Sequence, residues 1–159
     1  MINEKMEKAL NNQFNVELSS AYLYLDMHTF LEKKGLFGFA NWMCIQVKEE
    51  LEHAKGIYDY ILERGGNVCL HPIEKPAGEW DCVVKVFEAV LAHEKRVTGD
   101  IFNLMDIAEE VNDKSTEAFL DWYIKEQVEN PVFYVQYVNA RCNSIVKESK
   151  NLEKFYLKK

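Results

Sequence analysis

The stretch Gly65–Trp80, GGNVCLHPIEKPAGEW, decides how this chain folds. It collects three of the seven glycines and two of the three prolines, so no helix passes through it. On both sides lie stretches of nearly thirty residues with helical periodicity, far too long for strands. Two shorter interruptions, KKGLFG at 33–38 and EEVNDKS at 109–115, divide those stretches again. The spacing therefore predicts four helices over about 4–33, 38–64, 81–109 and 114–143, with a short tail helix over about 147–157. Asn3, Asp81 and Asp113 stand where N-caps belong, and Gly35 and Gly65 where helices stop.

Connection lengths set the topology. A few residues join the first helix to the second and the third to the fourth, so each pair is expected to be antiparallel. A helix of that length spans about 40 Å at 1.5 Å per residue. Returning along it takes about 12 extended residues at about 3.3 Å each. The segment 66–80 has that reach, so the third helix can run parallel to the second after a crossover along the whole bundle. The class is all-α, a single domain spanning 1–159.

Composition narrows the function. The net charge of −7 argues against nucleic acid and suits cations. No apolar run is long enough to span a membrane, and MINEKMEKAL lacks the apolar core of a signal peptide, which leads to the expectation of a cytoplasmic protein. Cys44, Cys69, Cys82 and Cys142 are scattered without a CxxC pair, the pattern of isolated reduced thiols.

Each helix carries an apolar stripe with 3,4 spacing. The stripes are Leu10, Phe14, Glu17, Ala21, Tyr24, His28, Leu31; then Met43, Val47, Glu50, Ala54, Ile57, Ile61; then Val83, Phe87, Val90, Glu94, Val97, Ile101, Leu104; then Leu120, Tyr123, Gln127, Asn130, Tyr134, Tyr137. Glu17, Glu50, Glu94 and Gln127 each stand about thirteen residues into their helix and so fall near one height. A single seam glutamate is ordinarily a flank residue reaching water. Three at matched height cost several kcal/mol each unless a positive charge compensates. No lysine or arginine occupies a neighbouring stripe position. His53, three residues after Glu50, completes the Glu-x-x-His pair of carboxylate-bridged di-iron bundles. These donors suit Fe, Mn or Zn. Glu50 can bridge two ions, with Glu17 and His53 on one and Glu94 on the other. Oxidation of Fe(II) by O2 or H2O2 is the expected reaction. Tyr24 shares the face of Glu17 and is either a hydrogen-bond or one-electron donor to the centre or a core tyrosine. Trp122 is either a similar donor or, as the favoured reading, a packing residue. Glu49, Glu126 and Glu129 flank the stripes and hold either a further ion or solvent. His28 reads as core or interface, and His71 and His93 as surface residues.

NVELSSAYLYLDM, VKEELEHAKGIYDYILERGG, LAHEKRVTGDI and FLDWYIKEQVE together resemble the bacterial-type non-haem ferritins over almost the whole chain. The resemblance implies a ferritin-like bundle and an iron-storage subunit with a ferroxidase centre. It also implies self-assembly into a homo-oligomeric shell of twenty-four chains. It places Glu17, Glu50 and His53 at one iron and Glu50 and Glu94 at the second. Tyr24 becomes the tyrosine beside the centre, and Glu49, Glu126 and Glu129 match an acidic third iron site. Bacterioferritins carry a second Glu-x-x-His where this chain has Gln127 and Asn130. Their haem-binding methionine corresponds to Glu52, so no haem is expected. The departure from the family pattern is at Asn130-Pro131, where relatives usually have glutamate at the Asn130 position, shared between the second and third iron sites. Pro131 removes a helical hydrogen bond at a cost of about 3 kcal/mol. A kink there, with an intact first iron site and a weaker second one, is the expectation. A shell subunit with an impaired centre, and a peroxide-consuming di-iron enzyme without storage, remain as alternatives.

Overall fold

The computed structural model describes residues 2–76 and 78–126. Three helices lie wholly within them: α1 (Glu4–Lys33), α2 (Phe37–Glu63) and α3 (Val83–Glu110). A fourth, α4, starts at 114 and is followed through 126. The remainder of the expected fourth helix, Gln127, Glu129, Asn130, Pro131, Cys142 and the tail over 147–157 lie outside the described residues. Among the described residues there is no strand, and no helix is long and apolar enough to cross a membrane. Cys44, Cys69 and Cys82 are free thiols.

Helix ends follow local chemistry. Asn3 accepts from the Lys5 amide at 2.9 Å, with Glu4 and Glu7 in the first turn to complement the helix dipole. At the other end Gly35 takes φ +71°, and Leu36 N–H donates back to Leu31 O at 3.0 Å. Gly65, also at φ +71°, repeats this closure, with Gly66 N–H donating to Ile61 O at 2.9 Å. Asn112, at φ 53°, performs it for α3. Asp113 then caps α4 by accepting from Thr116 N–H at 3.1 Å. The expected cap at Asp81 is corrected: α3 begins at Val83, and the N-cap is Cys82, with no side-chain cap bond. The preceding Trp80 is tethered by its indole N–H to Asp26 at 2.8 Å, so the chain bends away from that anchor before it coils.

The core is two apolar clusters. One joins Met6, Leu10 and Phe14 of α1 to Ile57 and Ile61 of α2, Ile101 and Leu104 of α3, and Leu120 of α4. The other joins Tyr24, Met27 and Leu31 to Ala40 and Met43 and to Val86 and Val90. The start of α1 thus meets the ends of α2 and α3, and the end of α1 meets their starts. Helices α2 and α3 are parallel to each other and antiparallel to α1, as the crossover length requires.

The crossover is held by asparagine side chains. Asn11 donates to Asn67 O at 2.9 Å and accepts from Cys69 N–H at 2.6 Å. Asn15, one turn on, donates to Cys69 O and accepts from His71 N–H, both at 2.8 Å. One helical turn advances about 6 Å, close to the roughly 6.6 Å of two extended residues, so α1 presents these amides in register with alternate backbone groups. The buried side chains supply what a neighbouring strand would.

Arg64, at the end of α2, grips Asp113 through two bonds of 3.1 and 3.0 Å and also reaches Tyr60 and Thr116. Burial tends to raise the Asp113 pKa, but the hydrogen bonds from Arg64 and Thr116 outweigh it and hold the carboxyl below its ordinary 3.8. A depressed carboxylate contributes stability above that value and loses it as pH falls through the lowered one. Replacing Asp113→Asn should therefore cost about 1–3 kcal/mol at neutral pH. Chemical denaturation should show the wild-type advantage shrinking as pH drops below 3.8.

Candidate metal centre

Between the two apolar clusters lies a polar belt. Helix α1 supplies Glu17, α2 supplies Glu50 and His53, and α3 supplies Glu94. Glu17 is 1% exposed, Glu50 6% and His53 7%. Gln13, one turn before Glu17, donates to its Oε1 at 2.7 Å. Glu17 Oε2, Glu50 Oε2 and His53 Nδ1 are buried without a hydrogen-bond partner. One ligand atom from each of these three residues lies within 4.8 Å of the others.

Three orphaned polar atoms facing one point are costly in a closed bundle unless something binds them. Among the described residues no lysine or arginine pairs with Glu17, Glu50 or Glu94. Burial, then the negative charge of Glu50, pushes the Glu17 carboxyl well above its usual range. Burial also lifts Glu50 to about 8. Two carboxylates and an imidazole make a donor set for a hard or borderline divalent cation, and Fe(II) fits it.

Glu94 stands apart from that set. Its Oε1 accepts from the Tyr24 hydroxyl, and burial raises the pKa of both groups. Tyr24 is fully buried, crossed edge-on by Trp42 and His93. At the rim of the belt Glu49 accepts from Gln46, and burial raises its carboxyl. Glu126 reaches His53 Nε2 at 3.1 Å. Of the expected site residues, Glu17, Glu50 and His53 converge, and Glu94 and Tyr24 pair with each other. Glu126 meets the histidine rather than Glu49, and Gln127 and Glu129 lie outside the described residues.

His93 is not on the surface, as the sequence suggested. It is 8% exposed, and burial followed by Arg96 lowers its imidazole to about 4, leaving it neutral. Arg96 donates to Nδ1 at 3.3 Å, so Nε2–H donates to Ser20 Oγ at 2.8 Å. His28 is half-buried, 3.9 Å from Glu32. Trp122 is 54% exposed, its ring centroid 5.8 Å from that of His53 in an edge-on arrangement. Gln13 was detectable in the sequence, because it precedes Glu17 by four residues on the same face.

The family model of the ferritin-like domain matches residues 7–141. This chain belongs to the ferritin family. A bacterial non-heme ferritin of Bacteroides fragilis is 41% identical over 129 residues, 81% of each chain. One from Staphylococcus epidermidis is 35% identical over 158 residues, 96% of this chain and 95% of the relative. Among solved structures, an open-pore ferritin from the archaeon Archaeoglobus fulgidus superposes with a TM-score of 0.89 at 42% identity, covering 95% of this chain and 92% of that one. A ferritin from Chlorobium tepidum gives 0.85 at 30% identity, covering 97% and 99%. As a ferritin-family chain of the bacterial non-haem type, it keeps carboxylates at a level where packing alone would favour apolar side chains.

That conflict is measurable in the metal-free protein. Glu50→Gln should raise its stability at neutral pH by about 0.5–2 kcal/mol, because it removes, without changing shape, a carboxyl that burial obliges to take up a proton on folding. The same variant should lose the thermal stabilisation that Co(II) gives the wild type, read by differential scanning calorimetry with and without the metal.

Proposed function

We propose that this chain is an iron-storage subunit of a multi-chain shell, and that its polar belt is a ferroxidase centre whose substrate is Fe(II). The observation that carries this reading is the convergence of Glu17 Oε2, Glu50 Oε2 and His53 Nδ1 on one buried point without partners. Membership of the ferritin family supports the storage role, and the family's solved relatives support assembly of this chain into a shell, with twenty-four copies as the expectation. A cytoplasmic location belongs to the same reading.

Glu17, Glu50 and His53 hold the first Fe(II). Glu50 extends toward a second, which Glu94 holds once Tyr24 shares that carboxylate. Tyr24 keeps Glu94 oriented by its hydroxyl and stands within one hydrogen bond of the oxidation. Two Fe(II) ions give the two electrons that reduce O2, with two protons, to H2O2; alternatively they reduce H2O2, with two protons, to two waters. Carboxylate donors favour the ferric products. In this reading Glu49 and Glu129 belong to an acidic station from which iron leaves toward the mineral, with Glu126 turned to His53. Gln127 flanks the second iron, and no haem takes part.

A second reading is a shell subunit with a weakened second iron site. The Asn130-Pro131 step in the sequence and the prior engagement of Glu94 by Tyr24 favour it.

Anaerobic Fe(II) titration should give two tightly bound ions per chain in the wild type. Exposure to O2 should then give rapid oxidation that falls at least about tenfold in Glu50→Ala/His53→Ala. Full activity in that double variant would remove the ferroxidase reading. A several-fold faster initial oxidation by Asn130→Glu would favour the weakened centre, whereas an unchanged rate would favour the intact one. Elution as a monomer or dimer on size exclusion would rule out storage.

A further inference from the structure

Among the described residues, 114–126 of α4 give no ligand atom to the Glu17–Glu50–His53 set, yet they touch His53 at two separate places. Tyr123 is buried, and its hydroxyl donates to the His53 carbonyl oxygen at 3.0 Å. Within α2 that carbonyl also accepts from residue 57, so Tyr123 adds a bond from a neighbouring helix to the turn that carries His53. Gly56 makes this approach possible. A Cβ on residue 56 would stand 2.5 Å from the Tyr123 hydroxyl oxygen, well inside contact distance.

The side chain is held from the same helix. His53 Nε2 lies 3.1 Å from Glu126 Oε2. A carboxylate only accepts, so Nε2 carries the hydrogen of this bond and Nδ1 is the ring nitrogen left to meet a metal. Nδ1 is the atom left without a partner, 3.7 Å from Glu50 Oε2. The rings of Trp122 and Tyr123 stand edge-on to the imidazole, each 5.8 Å away, at 77° and 66°. Residues 122, 123 and 126 fall on one face of α4, three and four residues apart.

We propose that α4 is the positioning element of His53: Tyr123, admitted by Gly56, fixes the turn that carries it, and Glu126 fixes the tautomer that turns Nδ1 toward the carboxylates. This rests on the metal-site reading of Glu17, Glu50 and His53. Carboxylate–histidine pairs of this kind set ligand orientation and basicity, and their loss typically weakens metal affinity 10–100-fold. The role differs from that of an iron ligand, which is what the family resemblance suggests for Glu126.

The test is anaerobic Co(II) titration of the assembled metal-free protein, followed by visible absorption, with helical dichroism and shell elution checked for each variant. Tyr123→Phe, Gly56→Ala and Glu126→Ala should each weaken the His53 site by about 10–100-fold and shift its absorption band. The number of Co(II) ions bound at saturation should not change. Glu126→Gln, whose amide oxygen still accepts from Nε2, should restore most of the affinity. Wild-type affinity and band in both Tyr123→Phe and Gly56→Ala would overturn the proposal. So would a Glu126→Ala variant that binds one ion fewer with the remaining sites unchanged, because that is the signature of a ligand. A His53→Ala variant that titrates like wild type would instead remove the metal-site reading on which the proposal stands.

Discussion

Carboxyl groups buried at one height, with no lysine or arginine to match them among the described residues, are the constraint to which the rest of this bundle is fitted. Glu17 and Glu50 lie deep between the helices with His53, and their carboxyls are driven upward mainly by burial. Such an arrangement opposes folding unless the surrounding packing outweighs it. The two apolar clusters supply that packing, one on each side of the belt. The long helices follow from the same need, since each must present apolar residues above and below its polar one.

The connections answer to the belt as well. Glu17, Glu50 and Glu94 lie near the middle of their helices, and the parallel course of α2 and α3 requires a chain segment along the full bundle. Such a segment brings unpaired backbone groups against a helix. Asn11 and Asn15 meet them at the spacing an extended chain needs, and Asp26 takes the indole at the far end. The crossover is therefore seated on α1 by side chains rather than by strand pairing.

Much of this was legible in the sequence because it depends on spacing. Glycines 35 and 65 end helices where only a left-handed residue closes them well, and Asn3 and Asp113 begin helices by known chemistry. The matched heights of Glu17, Glu50 and Glu94 followed from counting along each helix. What spacing cannot carry is rotation between helices. His93 adjoins Glu94 and was placed outside, yet α3 turns it toward Ser20 and Tyr24. The contact of Glu126 with His53, and of Tyr123 with the carbonyl beside it, joins residues about seventy positions apart, with no local pattern to announce them. Asp81 does not cap α3, which starts at Val83 after Cys82, while the neighbouring Trp80 is held to α1 by Asp26.

The division of the core has a consequence for how such a chain can change over time. The ligands Glu17, Glu50, His53 and Glu94 belong to neither apolar cluster. Substitutions that trade volume within Leu10, Ile57, Ile101 and Leu120, or within Met27, Met43 and Val86, are settled among those residues. The belt meets that packing through two tyrosines, Tyr24 beside Glu94 and Tyr123 beside His53. With those two kept, its chemistry can persist while most of the interior is rewritten, and thermal tolerance can be tuned from either end of the bundle without touching the atoms that meet the substrate.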